Sequence, residues 1–280
     1  MSDNPFSIDG KVAIVTGGGQ GIGEGIVRCL ADDGADVAVV DLNGDTAAKV
    51  ADEVKAMGRR SHAIQSDVTD SEQIDQAVQE IIDTFGQIDI LVNDVGGGVR
   101  AKRPQARPPG TRQTFVDIDE DVWDRTFELN AKTQFLMCRA VVPHFLKQGS
   151  GKIVNIGSRL AVIPDPQLFT YCVTKAAVVH FTSLLATELA PHNINVNCVC
   201  PGDVLTPNIA RMFERAIQNN PEAEGKTPAD MFLDIAKPRI PMQRLQTPED
   251  MGKATVFLVS EDARNITGQA LYVDGGQVMG

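Results

Sequence analysis

The sequence predicts an α/β fold: a doubly wound parallel sheet with helices on both faces. Three observations predict it. Short β-branched apolar runs alternate along the chain with longer runs of helical periodicity, the pattern of parallel strands joined by helices. Four successive strand runs end at Gly17, Asp41, Asp67 and Asn93, polar or flexible positions at the carboxyl ends, where ligands of such sheets bind. Finally, the chain has 280 residues without a linker or an internal repeat, which suits one large α/β domain over residues 1–280.

The elements follow in order. Met1 to Gly10 is polar and reads as an arm, residues 1–9, ahead of the first strand. Lys11 to Thr16 is short, apolar and β-branched, a buried strand. Gly17-Gly18-Gly19-Gln20-Gly21-Ile22-Gly23 follows, and then the helical run Glu24 to Asp33. A strand, a glycine-rich turn and a helix start form an anion site, because the backbone can approach a pyrophosphate and the helix supplies free N–H groups. Asp36 to Val40 is the second strand and ends at Asp41. A carboxylate there can accept both ribose hydroxyls of an adenosine and repels a 2′-phosphate, and no Arg or Lys stands at Gly18, Gly19, Leu42 or Asn43 to welcome that phosphate. NAD is preferred over NADP. Asp45 to Met57 is a helix, Ser61 to Gln65 a strand, Asp67-Val68 a turn, Asp70 to Phe85 a helix closed by Gly86, and Ile88 to Val92 the fourth strand.

Between Gly97 and Gln113 the composition changes. Prolines and glycines break any regular element, and Arg100, Lys102, Arg103, Arg107 and Arg112 carry no acid among them. The segment reads either as a solvated loop or as a rim that holds an anionic group. Asp119 to Lys147 is a long helical segment, with Val122, Phe127, Leu129, Phe135, Leu136, Val141, Val142 and Phe145 as core positions, Pro143 kinking or interrupting its end, and Asn130 an unexpected polar residue within it. Trp123 reads as a packing residue. Lys152 to Gly157 is the fifth strand, with Ser158 just past its end and Arg159 next, facing toward or away from a substrate. Leu168 to Ala190 is a helix and Ile194 to Cys200 a strand that leads to Pro201-Gly202-Asp203-Val204-Leu205-Thr206. Leu205 to Gln246 holds a helical run, Ile209 to Gln218, then a polar stretch, Asn219 to Ala229; it is too long for a connector and reads as a mobile substrate cover. Thr247 caps a helix with Pro248 at its first position, and Gln269 to Val273 is the last strand.

Composition narrows the function. A net charge of −11 argues against a general nucleic-acid binder, which needs a basic face. No apolar run is expected to reach the roughly 20 residues that a membrane span needs. Five cysteines, mostly in apolar segments, fit reduced thiols in a cytoplasm, with Cys198 and Cys200 on one face of a strand. The four histidines are scattered, so no metal site is expected.

The chemistry centres on Tyr171-Cys172-Val173-Thr174-Lys175. Four residues apart on a helix, the phenol and the ammonium lie one turn apart on one face. The ammonium favours the phenolate, which makes the pair usable for proton transfer near neutral pH, although alone the pair also fits a solvated helix face. Ser158, 13 positions upstream, can hydrogen-bond an alcohol or carbonyl oxygen at the same place.

Taken together, these segments resemble the short-chain dehydrogenase/reductase family. Thr16 to Gly23 resembles its Thr-Gly-x-x-x-Gly-x-Gly loop, Tyr171 and Lys175 its Tyr-x-x-x-Lys motif, and Asp274-Gly275-Gly276 its carboxyl-terminal motif. Ser158 matches its serine and Asn130 its helix asparagine, while Pro201-Gly202 with Thr206 resembles the segment that grips the nicotinamide amide. The resemblance spans residues 10 to 276. It implies a Rossmann-type sheet of about seven strands in the order 3-2-1-4-5-6-7. It implies Tyr171 as general acid–base, Lys175 easing its ionisation and bonding the nicotinamide ribose, Ser158 orienting the substrate oxygen, and Asn130 holding a water in a proton relay. Gly17, Gln20, Gly21, Ile22, Gly23, Asp41, Leu42, Asp67, Val68, Asn93, Gly96, Pro201, Val204 and Thr206, with Tyr171 and Lys175, are expected to bind the cofactor. One departure is Asn93-Asp94-Val95-Gly96 where the family has Asn-Asn-Ala-Gly, which leaves the role of Asp94 open; the other is the long 97–113 loop.

The expected activity is NAD(H)-dependent interconversion of a secondary alcohol and its ketone, the alcohol being cyclic, a ring diol, or a hydroxy acid or its thioester. The Val95-Gly96-Gly97 turn weakly resembles relatives that oxidise ring diols. Arg100 and Arg159 point to an anionic small-molecule substrate. The alternatives are a nucleotide-sensing protein without turnover and a reductase of carrier-bound 3-oxoacyl groups; Asp41 disfavours the latter, which more often uses NADPH. Relatives pair through the helices of Asn130 and Tyr171, so a homodimer or homotetramer is expected, with Phe135, Met137, Val178 and Phe181 as apolar outer positions.

Overall fold

Val12, Ala13, Ile14 and Val15 are completely buried, which a β-branched run achieves only in the middle of a sheet covered on both faces. A computed structural model describes residues 7–99, 114–218 and 225–279 and shows that sheet. Its strands are β1 (Val12–Thr16), β2 (Asp36–Asp41), β3 (Ser61–Gln65), β4 (Ile90–Asn93), β5 (Gly151–Ile156), β6 (Ile194–Pro201) and β7 (Ala270–Val273). They run in the order β3-β2-β1-β4-β5-β6-β7, and every pairing is parallel. The order that the family resemblance implies is the order observed. It reverses between β1 and β4, and that crevice is where a parallel sheet of this kind takes its ligand.

The helices among the described residues are α1 (Gly21–Asp32), α2 (Gly44–Ala56), α3 (Ser71–Phe85), α4 (Glu120–Phe127), α5 (Thr133–Gln148), α6 (Phe169–Leu189), α7 (Pro207–Gln218), α8 (Pro228–Ala236) and α9 (Pro248–Val259). Strand alternation divides the core. Ala13, Val15, Val37 and Val39 pack under α1, α2 and α9, while Val12, Ile14, Ala38 and Val40 pack under α3, α5 and α6. The α1 and α9 backbones meet through glycine: a Cβ on Gly252 would come within 2.5 Å of the Cys29 sulfur. Asn43 and Asp70 cap α2 and α3 by accepting first-turn N–H groups, each cap contributing about 1 kcal/mol.

Several elements differ from expectation. The long α4–α5 segment is broken by a π-helical turn over Glu128–Lys132, and Pro143 sits inside α5, which continues to Gln148. Pro143 is exposed, so water can solvate the carbonyl that its missing N–H leaves unpaired. Phe135 is 46% exposed rather than a core residue, and Met137 and Val178, expected on an outer surface, are buried within the chain. The polar stretch ends earlier than read: α8 begins at Pro228, capped by Thr227 in a reciprocal box with Asp230. Phe213 of α7 and Phe232, Ala236 and Ile240 of the α8 region form a small core of their own. Trp123 packs on Phe127 with ring centres 5.0 Å apart. Cys198 and Cys200 are buried on one face, their sulfurs 3.7 Å apart. By length and composition, Pro166–His192 is apolar enough to cross a membrane, but Thr174, Lys175 and Thr182 on α6 are buried against the sheet.

Candidate active site

The glycine-rich turn after β1 is shaped by contacts that exclude side chains. A Cβ on Gly23 would lie 2.2 Å from the Gly17 carbonyl oxygen, and one on Gly19 would lie 2.9 Å from the Asp41 carboxylate. Gly17 and Gly21 hold positive φ angles of 68° and 63°. Gln20 caps α1 without a side-chain hydrogen bond, which leaves first-turn N–H groups to a ligand. Asp41, 8% exposed, accepts the Gly19 N–H at 3.0 Å and the Asn43 N–H at 2.9 Å, so the end of β2 is locked to the loop. Leu42 is exposed beside it. The Asp67 carboxylate accepts the Thr69 N–H and hydroxyl at 2.9 and 2.7 Å, and Val68 is buried. Thr206 and Pro207 close the opposite side, 3.6 Å from where a Gly21 Cβ would be, with Pro201 and Val204 buried behind them. A cradle kept open by glycine and edged by a carboxylate fits a dinucleotide.

Asn93 stands at the end of β4 beside Thr16, with its backbone at the rim. The Asn93 side chain is turned into the sheet, where its amide donates to Asn155 at 2.9 Å and to the Cys138 sulfur at 3.4 Å. Asn155 continues to the Thr182 hydroxyl at 2.9 Å, so this chain of polar groups ties β4, β5 and α6 together.

The acid–base residues converge past β4 and β5. Lys175 is 2% exposed and donates to the Ile156 carbonyl at 2.7 Å; its ammonium lies 5.7 Å from the centre of the Tyr171 ring. Asn130, fully buried in the π-helical turn, holds the Gly97 peptide from both sides and also donates to the Thr126 carbonyl at 2.9 Å. A Cβ on Gly96 would lie 2.6 Å from the Asn130 oxygen and 3.2 Å from the Lys175 nitrogen, which explains glycine there. The Ser158 Oγ accepts the Leu160 N–H at 3.1 Å and keeps its own proton for another acceptor. Beside Tyr171 an apolar cavity of about 510 Å³ is lined by Val99, Phe115, Ile118, Val122, Pro164 and Phe169; it touches neither Ser158 nor Lys175 and so borders the site without enclosing it. A larger, open depression on the outer side of α3 lies away from the strand ends.

Arg159 does not stand free toward a substrate. Its guanidinium pairs with Asp203 at 3.2 Å, both side chains largely buried, and Asp203 also accepts from Gln277 at 2.8 Å and from Arg239 at 3.5 Å. Arg100 and the other basic residues of its loop lie outside the described residues.

Asp94 is the residue whose place the sequence left open. Its backbone N–H donates to the Thr16 hydroxyl at 3.2 Å, and its carboxyl lies under the loop, bonded by the Gly23 N–H. Burial pushes that carboxyl up to about 8, against the pull of the Lys175 ammonium and the Gly23 N–H, and the Asp41 carboxylate adds to the rise.

The short chain dehydrogenase family model matches residues 11–216, from β1 to α7, and includes every acid–base residue above. The chain belongs to the short-chain dehydrogenase/reductase family. It is 38% identical over 277 residues to the 2,3-dihydro-2,3-dihydroxybenzoate dehydrogenase of Bacillus subtilis, covering 99% of each chain. The NAD-dependent glycerol dehydrogenase of Listeria innocua is 36% identical, with 98% of this chain and 96% of that one covered. Among solved structures, L-sorbose reductase from Gluconobacter frateurii, complexed with NADPH and L-sorbose, superposes with a TM-score of 0.88 at 31% identity over 99% of this chain and 100% of that one. The chain is therefore an oxidoreductase of the nicotinamide-dependent family.

Proposed function

We propose that this chain is an NAD(H)-dependent dehydrogenase that interconverts a secondary alcohol and its ketone, and that the alcohol is cyclic or a ring diol. The observation that carries the reading is the buried Lys175 ammonium, bonded to the Ile156 carbonyl and packed beside the Tyr171 ring and the Gly96 turn.

When bound, the nicotinamide accepts or supplies the hydride. The rest falls to the protein. Tyr171 takes the alcohol proton as general base and returns it in reduction, and Lys175 stabilises the phenolate. Ser158 donates its free proton to the substrate oxygen. Asn130 fixes the Gly96–Gly97 turn against Lys175, and a proton path from Lys175 past Asn130 to solvent belongs to the same reading. The loop from Gly17 through Gln20, Gly21, Ile22 and Gly23 would hold the pyrophosphate. Asp41, with Leu42, Asp67 and Val68 nearby, would hold the adenosine, and Gly96, Pro201, Val204 and Thr206 the nicotinamide end. Asp41 supports NAD because a carboxylate repels a 2′-phosphate.

The ring diol reading draws on the Val95-Gly96-Gly97 turn and on the dihydrodiol that the Bacillus relative's name carries. An anionic group on the substrate rests on the arginines and lysine of 97–113. The 205–246 segment, with its own small core, is proposed to cover the substrate. A homodimer or homotetramer in the cytoplasm belongs to the same reading, supported by exposed Phe135 and Leu184 on α5 and α6 and by the five free thiols. Incubation with NAD or NADP and a panel of cyclic alcohols and ring diols, followed by nucleotide absorbance, tests it. NAD-dependent turnover of at least one member is expected; nucleotide binding without turnover of any member would favour a sensor instead.

A further inference from the structure

Asp94 places a carboxyl where the nucleotide loop is closest to the acid–base residues. Its Oδ2 is 2.9 Å from where a Gly23 Cβ would be and 3.6 Å from the equivalent point on Gly17, so it lies directly beneath the turn and the first residues of α1. The Gly23 N–H bonds it from α1 and the Thr16 hydroxyl holds its backbone from β1. The charged groups facing it are Lys175 from α6 and Asp41 from β2, while Glu24, the acid in the first turn of α1, is paired with Arg28.

The charge balance has a consequence. A helix start lined by glycine draws a pyrophosphate onto its outer side. An ionised Asp94 would hold the same positive helix end from beneath and repel both phosphates. A neutral carboxylic acid of the same shape would not. Among the described residues Lys175 is the cation that faces Asp94 and Asp41 the acid, so an ionised Asp94 leaves the floor of the site negative before the nucleotide arrives.

We propose that Asp94 links cofactor binding to a proton: the nucleotide is taken by the form in which Asp94 is a neutral carboxylic acid, so that binding at alkaline pH takes up one proton from solvent. This rests on the reading of the Gly17–Gly23 loop as the nucleotide site. The sign follows from the two states. In the free protein the carboxyl titrates at about 8, and the bound phosphates raise it further. Below that value Asp94 is neutral in both states and no proton moves; above it the free protein is ionised, and affinity falls by up to about tenfold per pH unit. Asn, the residue that the family resemblance puts at this position, cannot ionise and removes the linkage.

The test is calorimetric titration with NADH at about pH 7 and about pH 9, in two buffers of different ionisation heat, on wild type and Asp94→Asn, each also in a Tyr171→Phe background so that the phenol cannot supply the linkage. Wild type should take up almost no proton at the lower pH and close to one at the higher, with affinity about tenfold weaker there. Asp94→Asn should take up none, with an affinity that does not change with pH. No uptake by wild type at the higher pH, or equal uptake by Asp94→Asn, would overturn this inference alone. Absence of binding at the lower pH to either NADH or NADPH would overturn the proposed function and this inference with it. If Asp94→Asn does not fold, the proton count of Tyr171→Phe decides the matter: close to one at the higher pH supports the inference and none overturns it.

Discussion

The side chain of Asn130 and the backbone of Gly97 form a closed pair of hydrogen bonds: Asn130 Oδ1 accepts the Gly97 N–H, and Asn130 Nδ2 donates to the Gly97 carbonyl, both at 2.9 Å. A side-chain amide thus pairs with a peptide as one strand pairs with another. The pairing fixes the turn on which Lys175 rests. Asn130→Ala removes these bonds and the one to Thr126, leaving the Gly97 peptide partly buried without its partner. A loss of about 2 kcal/mol of stability is expected by urea titration, together with slower turnover. Unchanged values for both would remove Asn130 from the account.

Gly96→Ala tests the same turn from the other side. The new Cβ meets the Asn130 oxygen and the Lys175 nitrogen, neither at the end of a loose side chain, since Asn130 is held by Gly97 and Thr126 and Lys175 by Ile156. Displacing that ammonium from Tyr171 should lower kcat by about 10- to 100-fold while NADH still binds. Steady-state kinetics beside a binding titration separates the two effects.

Asp41→Asn keeps the size of the side chain at the end of β2, removes the charge and gives up one of the two N–H groups that the carboxylate accepts. NAD affinity should weaken by about tenfold, and the gap between NAD and NADP should narrow, because the repulsion of a 2′-phosphate is gone. Parallel titrations with both nucleotides measure this. An unchanged ratio of affinities would mean that another group discriminates between them.

Asp203 holds Arg159 and Arg239 together at the end of β6. Asp203→Asn should cost about 2 kcal/mol, because the largely buried Arg159 loses its counter-ion. It also releases that guanidinium. If the substrate carries a carboxylate or phosphate, its KM should fall in this variant and rise in Arg159→Gln, whereas neutral analogues should respond to neither change.

Much of the sheet was legible because strand runs such as Val12 to Val15 and Val37 to Val40 are apolar on both faces and end at turn residues. The acid–base set was legible because Tyr171 and Lys175 sit on one regular helix. What escaped depends on partners distant in sequence. Whether the Asn93 side chain faces the cleft or the core is decided by Asn155 on the neighbouring strand, and Arg159 is claimed by Asp203 just past β6. The start of α8 does carry a local signal: Thr227-Pro228-Ala229-Asp230 repeats the Thr-Pro-x-Asp pattern that marks the start of α9 at Thr247. Asp94 carried no periodic signal, since its surroundings come from β1, α1, β2 and α6 together.

The central claim is that the Tyr171 hydroxyl moves the proton. Tyr171→Phe keeps the ring and deletes only that oxygen. The decisive measurement is its kcat with NAD and the best alcohol of the panel, taken alongside NADH affinity and melting temperature. An unchanged fold and retained NADH binding are expected, with turnover lower by about 10²- to 10⁴-fold. Turnover close to that of wild type would contradict the claim.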